Sequence, residues 1–257
     1  MFKTMTRFGL VLTVLLAAPI VASAQTDEIQ VYTGGLADTG KFNLTLHNNF
    51  TPNGQKTAAD PGGIVPDKSW NGTAEWAYGV NDWFEAGLYM PLYTLHSKDG
   101  AFFNGFKLRA LFARPHADDH TFVYGVNFEF SVNAKQWDPR RITSEIRPII
   151  GWHLKPVDLI INPILDTSYT GGVKGLDFAP SVRLAYNLSK TWAVAAEHYA
   201  DFGQLRGFDA VKDQSHQTFG VLDFSGKGWD VEAGIGFGET AASDKVTLKL
   251  IVSHDLN

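Results

Sequence analysis

Cysteine is absent from this chain of 257 residues. Without cysteine the protein can have no disulfide framework, no thiolate metal site and no cysteine nucleophile. Whatever holds the chain in a single structure must therefore come from hydrogen bonding and from packing.

Two further shortages narrow the class of protein. The apolar run at 8–18 is shorter than the ~20 residues that a helical membrane span needs, and no later segment is a better candidate. We therefore exclude a helical membrane protein. Basic residues are also in deficit, with 22 lysines and arginines against 27 acids, which argues against a nucleic-acid-binding protein.

Residues 1–24 have the pattern of a secretory signal peptide. Lys3 and Arg7 form a positive start, an apolar run follows, and the sequence Ala-Ser-Ala at 22–24 provides the small residues that precede a cleavage site. A retained membrane anchor is the alternative, although its apolar run would be short. We expect cleavage and a mature chain of 25–257 that forms one domain, because its segments repeat without a linker.

About twelve segments after residue 40 alternate apolar and polar side chains, and the links between them are by turns long and short. Outer-membrane barrels show this asymmetry, with tight periplasmic turns and longer outer loops. The pattern predicts an all-β fold, a single antiparallel transmembrane β-barrel of about 12 strands, with both termini in the periplasm. The predicted strands are 41–50, 69–79, 83–93, 104–114, 121–132, 144–154, 158–169, 176–188, 191–202, 215–224, 229–238 and 244–253.

Side-chain parity separates two faces on each predicted strand, because neighbouring residues point to opposite sides of a sheet. In the third segment, for example, Phe84, Ala86 and Leu88 share one face and Glu85 lies on the other. An exported soluble β-sandwich or lipocalin-like barrel would also alternate. However, it would have no suitable interior for a dozen charges, and an outer face bearing large apolar residues on nearly every strand would aggregate in water. The pattern therefore favours a barrel surrounded by lipid.

The polar faces are then predicted to line the lumen, where bases and acids alternate between neighbouring strands. Two interpretations stay open: a structural ladder of ion pairs that braces the wall, and a lining that selects a permeating solute. Twelve strands are intermediate between filled eight-stranded barrels and open porins, so the bore could be open or closed. The predicted lining residues are Glu75, Glu85, Lys107, Arg109, Glu129, Glu145, Arg147, Asp166, Arg183 and Glu197.

Three stretches carry a resemblance to a known family. Residues 75–91 resemble a strand–turn–strand unit of outer-membrane transporters, and residues 124–129 and 147–152 look like further parts of the same set. The likeness extends over most of 70–250. The chain resembles proteobacterial putative outer-membrane transporters and porins, similar to barrels linked to the meta pathway of phenol degradation. The resemblance implies a barrel and the passage of small or apolar molecules, without implying a particular substrate.

Other motifs carry weaker signals. His116 and His120 flank two acids in a turn, which a solvated turn explains better than a metal site. The run Ser253-His254-Asp255 contains the residue types of a hydrolase triad, but neighbours on one strand cannot adopt the triad geometry by themselves. We predict no catalytic residues and no metal site.

We therefore expect a channel or transporter in the outer membrane of a Gram-negative bacterium, with passive passage of small solutes through a charged lumen. We expect the protein to have no enzymatic activity and to need no cofactor. Its expected partners are membrane lipid, an unidentified small solute and the outer-membrane assembly machinery, with no nucleic acid. A lipid-acting outer-membrane hydrolase and a structural barrel with a closed interior are the alternatives.

Overall fold

The computed structural model describes residues 27–256, so the predicted signal peptide at 1–24 lies outside the described residues. This part of the chain is almost entirely β-structure, with two short 3-10 helices at Ala117–Asp119 and Gly172–Gly175. Within these residues, helices that are long and apolar enough to cross a membrane do not occur. The strands are β1 (Phe42–Asn53), β2 (Ser69–Asn81), β3 (Phe84–His96), β4 (Gly100–Ala113), β5 (Phe122–Asn133), β6 (Ile142–His153), β7 (Val157–Asn162 and Leu165–Thr167), β8 (Leu176–Phe178 and Ser181–Asn187), β9 (Trp192–Asp201), β10 (Ser215–Gly226), β11 (Trp229–Gly238) and β12 (Val246–Asp255).

The sheet closes on itself. Each strand pairs antiparallel with the next one along the chain, and β1 pairs with β12 from Asn43 opposite Asp255 to Asn53 opposite Val246. Closure leaves no sheet edge with unpaired backbone groups, which is a requirement for strands that cross hydrocarbon. The predicted fold, a twelve-stranded antiparallel barrel, is confirmed, and the predicted strands lie within a few residues of the observed ones.

Two neighbouring strands are each in two parts. Pro163 interrupts β7 and Pro180 interrupts β8, because proline has no N–H to donate to a neighbouring strand. The continuous strands predicted at 158–169 and 176–188 are wrong in this respect. The ring still closes, since both parts of each strand pair with their neighbours.

The two faces of the barrel differ in polarity as the parity predicts. Leu108 and Leu184 point outward and are 51% and 54% exposed, whereas the charged residues beside them in sequence, Arg109 and Arg183, are 8% exposed in the lumen. Large exposed apolar side chains of this kind occur all around the outer surface. This is the reverse of a soluble barrel, and it matches a wall that is bathed in lipid.

Residues 27–37 do not belong to the wall but run inside it, whereas Thr39 already pairs with Gly79 of β2. Asp27 and Tyr32 are each 5% exposed, and the Ala37 amide donates a hydrogen bond of 2.5 Å to the Glu85 carboxylate near a short turn. The amide of Gly40 then bonds the carbonyl of Gly79 at 2.7 Å, just before the chain enters β1. This N-terminal segment therefore runs from the short-turn end of the barrel into the middle of the lumen.

Candidate functional site in the lumen

The first cluster of charges is on β1 to β4. Arg109 on β4 binds two carboxylates, Glu75 on β2 at 2.5 Å and Glu85 on β3. The imidazole of His47 on β1 lies 2.9 Å from the other oxygen of Glu75. A side chain at Gly87 would come within 2.9 Å of the Arg109 guanidinium, so this glycine leaves the space in which Arg109 reaches both acids.

A second cluster continues around the wall on β4, β5 and β6. The Lys107 ammonium on β4 lies 3.2 Å from the carboxylate of Glu129 on the neighbouring strand β5. On β6, the Arg147 guanidinium lies 2.6 Å from Glu145, two residues earlier on the same face of the strand. Because alternate residues share a face, this spacing places both side chains in the lumen.

The third cluster is on the opposite wall, on β8 to β12. Arg183 contacts Glu197, Asp223 and Glu232, and the Lys249 ammonium contacts both Glu197 and Glu232. The Lys249 side chain has no exposed surface. A buried ammonium is tolerated only where paired acids and hydrogen bonds replace its hydration, and this site provides two carboxylates.

The N-terminal segment adds two acids to these clusters. The Asp27 carboxylate lies 2.9 Å from the Lys107 ammonium, and the Glu28 carboxylate lies 3.1 Å from the Arg147 guanidinium. Both carboxylates are almost fully buried, at 7% and 2% side-chain exposure. Each base of the second cluster therefore forms one ion pair with an acid of the wall and another with an acid of the segment.

Backbone groups of the segment also bind the wall. The carbonyl of Ile29 accepts a hydrogen bond of 3.2 Å from the Lys249 ammonium of the third cluster. Tyr32 makes a reciprocal pair with Asn162 on β7, in which the tyrosine amide donates at 2.7 Å and the tyrosine carbonyl accepts at 3.0 Å. The segment thus bridges opposite walls of the barrel.

The ring of Tyr32 fills the centre between these walls. Its hydroxyl bonds the hydroxyl of Tyr89, and the Arg147 guanidinium lies 4.4 Å from its centroid, which is within the range of a cation–π contact. Burial, followed by the nearby Glu28 carboxylate, raises the pKa of Tyr32 well above its usual value. The phenol therefore stays protonated and keeps its hydrogen-bonding proton.

The middle of the lumen is filled in this structure. His47, Tyr89, Asn127 and Phe219 point inward from four different strands, and all four are 0% exposed. A continuous water-filled bore would leave some of these surfaces accessible. The structure therefore represents a barrel whose bore is constricted at mid-depth.

The sequence-predicted lining residues all lie on the lumen side of the wall. Nine of them belong to the three clusters; the tenth, Asp166, lies opposite Glu145 and Asp177 in the register, so that three acids are adjacent there. Whether these residues select a solute stays a prediction. The nine residues are Glu75, Glu85 and Arg109 in the first cluster, Lys107, Glu129, Glu145 and Arg147 in the second, and Arg183 and Glu197 in the third.

Sequence reasoning missed the part of the site that the N-terminal segment supplies. These residues, Asp27, Glu28 and Tyr32, precede the first strand. The alternation of apolar and polar residues that marks the strands therefore does not identify them. The one available signal is the apolar group Ile29, Val31 and Tyr32. In a linker exposed to the periplasm, such a group would be unusual, since loops are normally polar.

In the run Ser253-His254-Asp255, the serine and the histidine contact different residues. Ser253 bonds Thr45 across the β1–β12 pair, whereas the His254 ring stacks on Trp229 with centroids 4.2 Å apart. The histidine and serine side chains therefore face different neighbours, as their alternation on a strand requires.

Comparison with known proteins identifies the fold. Neither a family model nor a curated protein sequence matches the chain. Among solved structures, the COG4313 outer membrane channel from Pseudomonas putida F1 is similar with a TM-score of 0.59 at 12% identity, covering 89% of this chain and 100% of that one. The NanC porin has a TM-score of 0.55 at 6% identity, over 83% of this chain and 99% of its own. The KdgM porin, solved in complex with disordered oligogalacturonate, has a TM-score of 0.53 at 8% identity, over 84% and 99%. At these identities the likeness is one of fold, and these three structures are an outer-membrane channel and two porins.

Proposed function

We propose that this chain is an outer-membrane channel or transporter for small solutes in a Gram-negative bacterium. The observation that carries the proposal is a closed barrel with an apolar outer face and a charged lumen face. The names of the proteins that share its fold support it. Export by a cleaved leader at 1–24, insertion by the outer-membrane assembly machinery and contact with membrane lipid belong to the same proposal.

The relation to barrels linked to the meta pathway of phenol degradation is a further part of this proposal. It is supported by residues 75–91, which form the end of β2, a short turn and the first half of β3. Two of these residues, Glu75 and Glu85, bind Arg109 in the first cluster, so the stretch that carries the resemblance includes residues that face the lumen. The identity of the solute is left open.

Passage would require the N-terminal segment to move, because its inner part at 27–34 and the side chains around it fill the middle of the bore. No covalent chemistry is involved in this mechanism. When the segment leaves, Lys107 and Arg147 each lose one acid, and Lys249 loses the carbonyl of Ile29. These three bases would then face the open bore together with the wall acids, and a permeating solute would pass between them.

Electrical recording from planar bilayers tests this proposal. A variant that lacks residues 27–38 should give discrete channels of larger conductance than the wild type, because the deletion removes the chain from the middle of the lumen. Adding a synthetic peptide of residues 27–38 should reduce the conductance again, whereas a peptide of scrambled sequence should not. Heat-dependent electrophoretic mobility reports whether the variant is a folded barrel. A folded deletion variant that conducts no ions would contradict the proposal.

A further inference from the structure

The outer surface of β9, β10 and β11 contains an apolar groove near the short-turn end. The groove has a volume of about 430 Å³ and is lined by Trp192, Leu222, Phe224, Val231 and Ala233. The groove is open on its outer side, so an occupant would contact the protein on one side only. Because these side chains point away from the lumen, an occupant would enter from the surrounding membrane.

One small side chain, Ala233, lies among the larger side chains of the groove. Ala233 on β11 is opposite Leu222 on β10. Trp192 and Phe224, with ring centroids 5.0 Å apart, border the groove on the side of the short turns. The lining is therefore apolar throughout and has an aromatic edge.

Two lysines lie at the end of the groove, on adjacent short turns. Lys190 is in the turn between β8 and β9, and Lys227 is in the turn between β10 and β11; both are exposed. The turns are joined by a hydrogen bond of 2.9 Å from the Ser225 amide to the Thr191 carbonyl. Two positive charges therefore stand beside the aromatic edge, at the level of a lipid headgroup.

The backbone at Lys227 adds to this observation. Lys227 has a φ of 57° and Gly228 has a φ of 76°, which is the left-handed geometry of a tight hairpin turn. Such a turn favours asparagine, aspartate or glycine at its first central position, and a lysine there is disfavoured. Lys227 and Gly228 are therefore the two central residues of the turn, and the lysine lies at its tip.

We propose that this groove binds one acyl chain of an anionic glycerophospholipid from the periplasmic leaflet, whose phosphate lies between Lys190 and Lys227. This inference rests on the proposed outer-membrane location, which places the short turns at the periplasmic surface. The charge of the lysines selects an anionic headgroup, and the apolar lining selects a hydrocarbon chain. Lys and Arg side chains at a membrane surface each contribute about 1 kcal/mol to the attraction of anionic lipid.

Native mass spectrometry of the mature barrel in detergent tests this site, with phosphatidylglycerol as the anionic lipid and diacylglycerol as a lipid without phosphate. The wild type should retain one phosphatidylglycerol more tightly than diacylglycerol. The double variant Lys190→Gln, Lys227→Gln should bind phosphatidylglycerol more weakly, by about fivefold for each lysine. Diacylglycerol should bind this variant and the wild type equally.

Filling the groove tests the acyl-chain part of the proposal. Ala233→Phe should abolish the retention of both lipids, because its ring would occupy the groove. Ala86→Phe is the matched control, since Ala86 also faces outward near the short-turn end, but on β3. If Ala233→Phe and the double lysine variant retain phosphatidylglycerol as the wild type does, or if Ala86→Phe weakens retention equally, the proposal is wrong.

The same proteins in planar bilayers distinguish this inference from the proposed function. A barrel that conducts ions but retains no lipid in the groove would overturn only the lipid site. A barrel that retains one phosphatidylglycerol but gives no channels, even without residues 27–38, would overturn only the channel.

Discussion

Changing Asp27 to Asn and Glu28 to Gln removes the two negative charges that the N-terminal segment places against the wall, with little change in side-chain shape. In the wild type these acids lie 2.9 Å from Lys107 and 3.1 Å from Arg147. The double variant therefore tests whether ion pairing holds the segment in the bore. The remaining contacts of the segment, including the pair between Tyr32 and Asn162, are left in place.

The magnitude of the effect follows from the partners that remain. Lys107 keeps Glu129 at 3.2 Å and Arg147 keeps Glu145 at 2.6 Å, so neither base becomes a fully unpaired buried charge. The full penalty of about 3–5 kcal/mol for breaking a buried pair is therefore too large here. Of the two acids only Asp27 accepts a hydrogen bond from the wall, since Glu28 makes an ion pair with Arg147 without a hydrogen bond. A hydrogen bond to a charged group contributes about 1.5–3 kcal/mol, and the lower limit for the one bond gives about 1.5 kcal/mol. A change of this size favours release of the segment by roughly tenfold.

Single-channel recording in planar bilayers measures this shift as the frequency of open events. We expect the frequency to rise by about one order of magnitude, with the open conductance similar to that of the variant lacking residues 27–38. The double variant Asp118→Asn, Asp119→Asn is the matched control: it makes the same change of charge on two adjacent acids that are exposed in a short turn. Equal open frequencies in the two double variants would refute the reasoning.

Two further predictions concern the packing of the lumen. Lys249→Met should lower the free energy of unfolding by about 3 kcal/mol in urea titrations, because Glu197 and Glu232 each lose a hydrogen bond from the ammonium but keep Arg183. Exposed Lys245→Met should change it by less than ~0.5 kcal/mol. A small effect at position 249 would show that these acids do not depend on the ammonium. Gly236→Ala should lower the free energy of unfolding by about 1–3 kcal/mol in the same assay, because its Cβ would come within 2.3 Å of the buried Phe219 ring. Gly220→Ala should leave the free energy of unfolding almost unchanged, because its Cβ would meet no atom within 4 Å. Similar losses in both glycine variants would contradict this account of close packing.

The strands could be predicted from the sequence because their signal is local. Leu108 and Arg109 are neighbours on β4 that face lipid and lumen, and this alternation is visible in the sequence without knowledge of the partners. The same parity correctly places Glu75, Glu85 and Arg109 on one side of the wall. Which acid binds which base could not be predicted in full, because Lys249 reaches Glu197 across two intervening strands.

The N-terminal segment could not be predicted for a different reason. Its contacts connect residues far apart in the chain, such as Tyr32 with Asn162, and no periodic pattern marks them. The two interrupted strands, by contrast, had a signal in the sequence, since Pro163 and Pro180 each lie within a predicted strand. A proline in this position indicates a gap in the pairing, and the prediction of continuous strands did not take it into account.

The orientation of the wall is tested most directly by a spin label at position 108. Because the chain has no cysteine, the single change Leu108→Cys gives one unique site for the label. Collision of the label with oxygen, which concentrates in hydrocarbon, is compared with collision with a water-soluble nickel chelate, for the folded barrel in lipid vesicles. A label at Leu108 should collide readily with oxygen and little with the chelate, and a label at Asp118, in an exposed turn, should show the opposite. If the label at Leu108 is as accessible to the chelate as the one at Asp118, the apolar face is not in contact with lipid and the account is wrong.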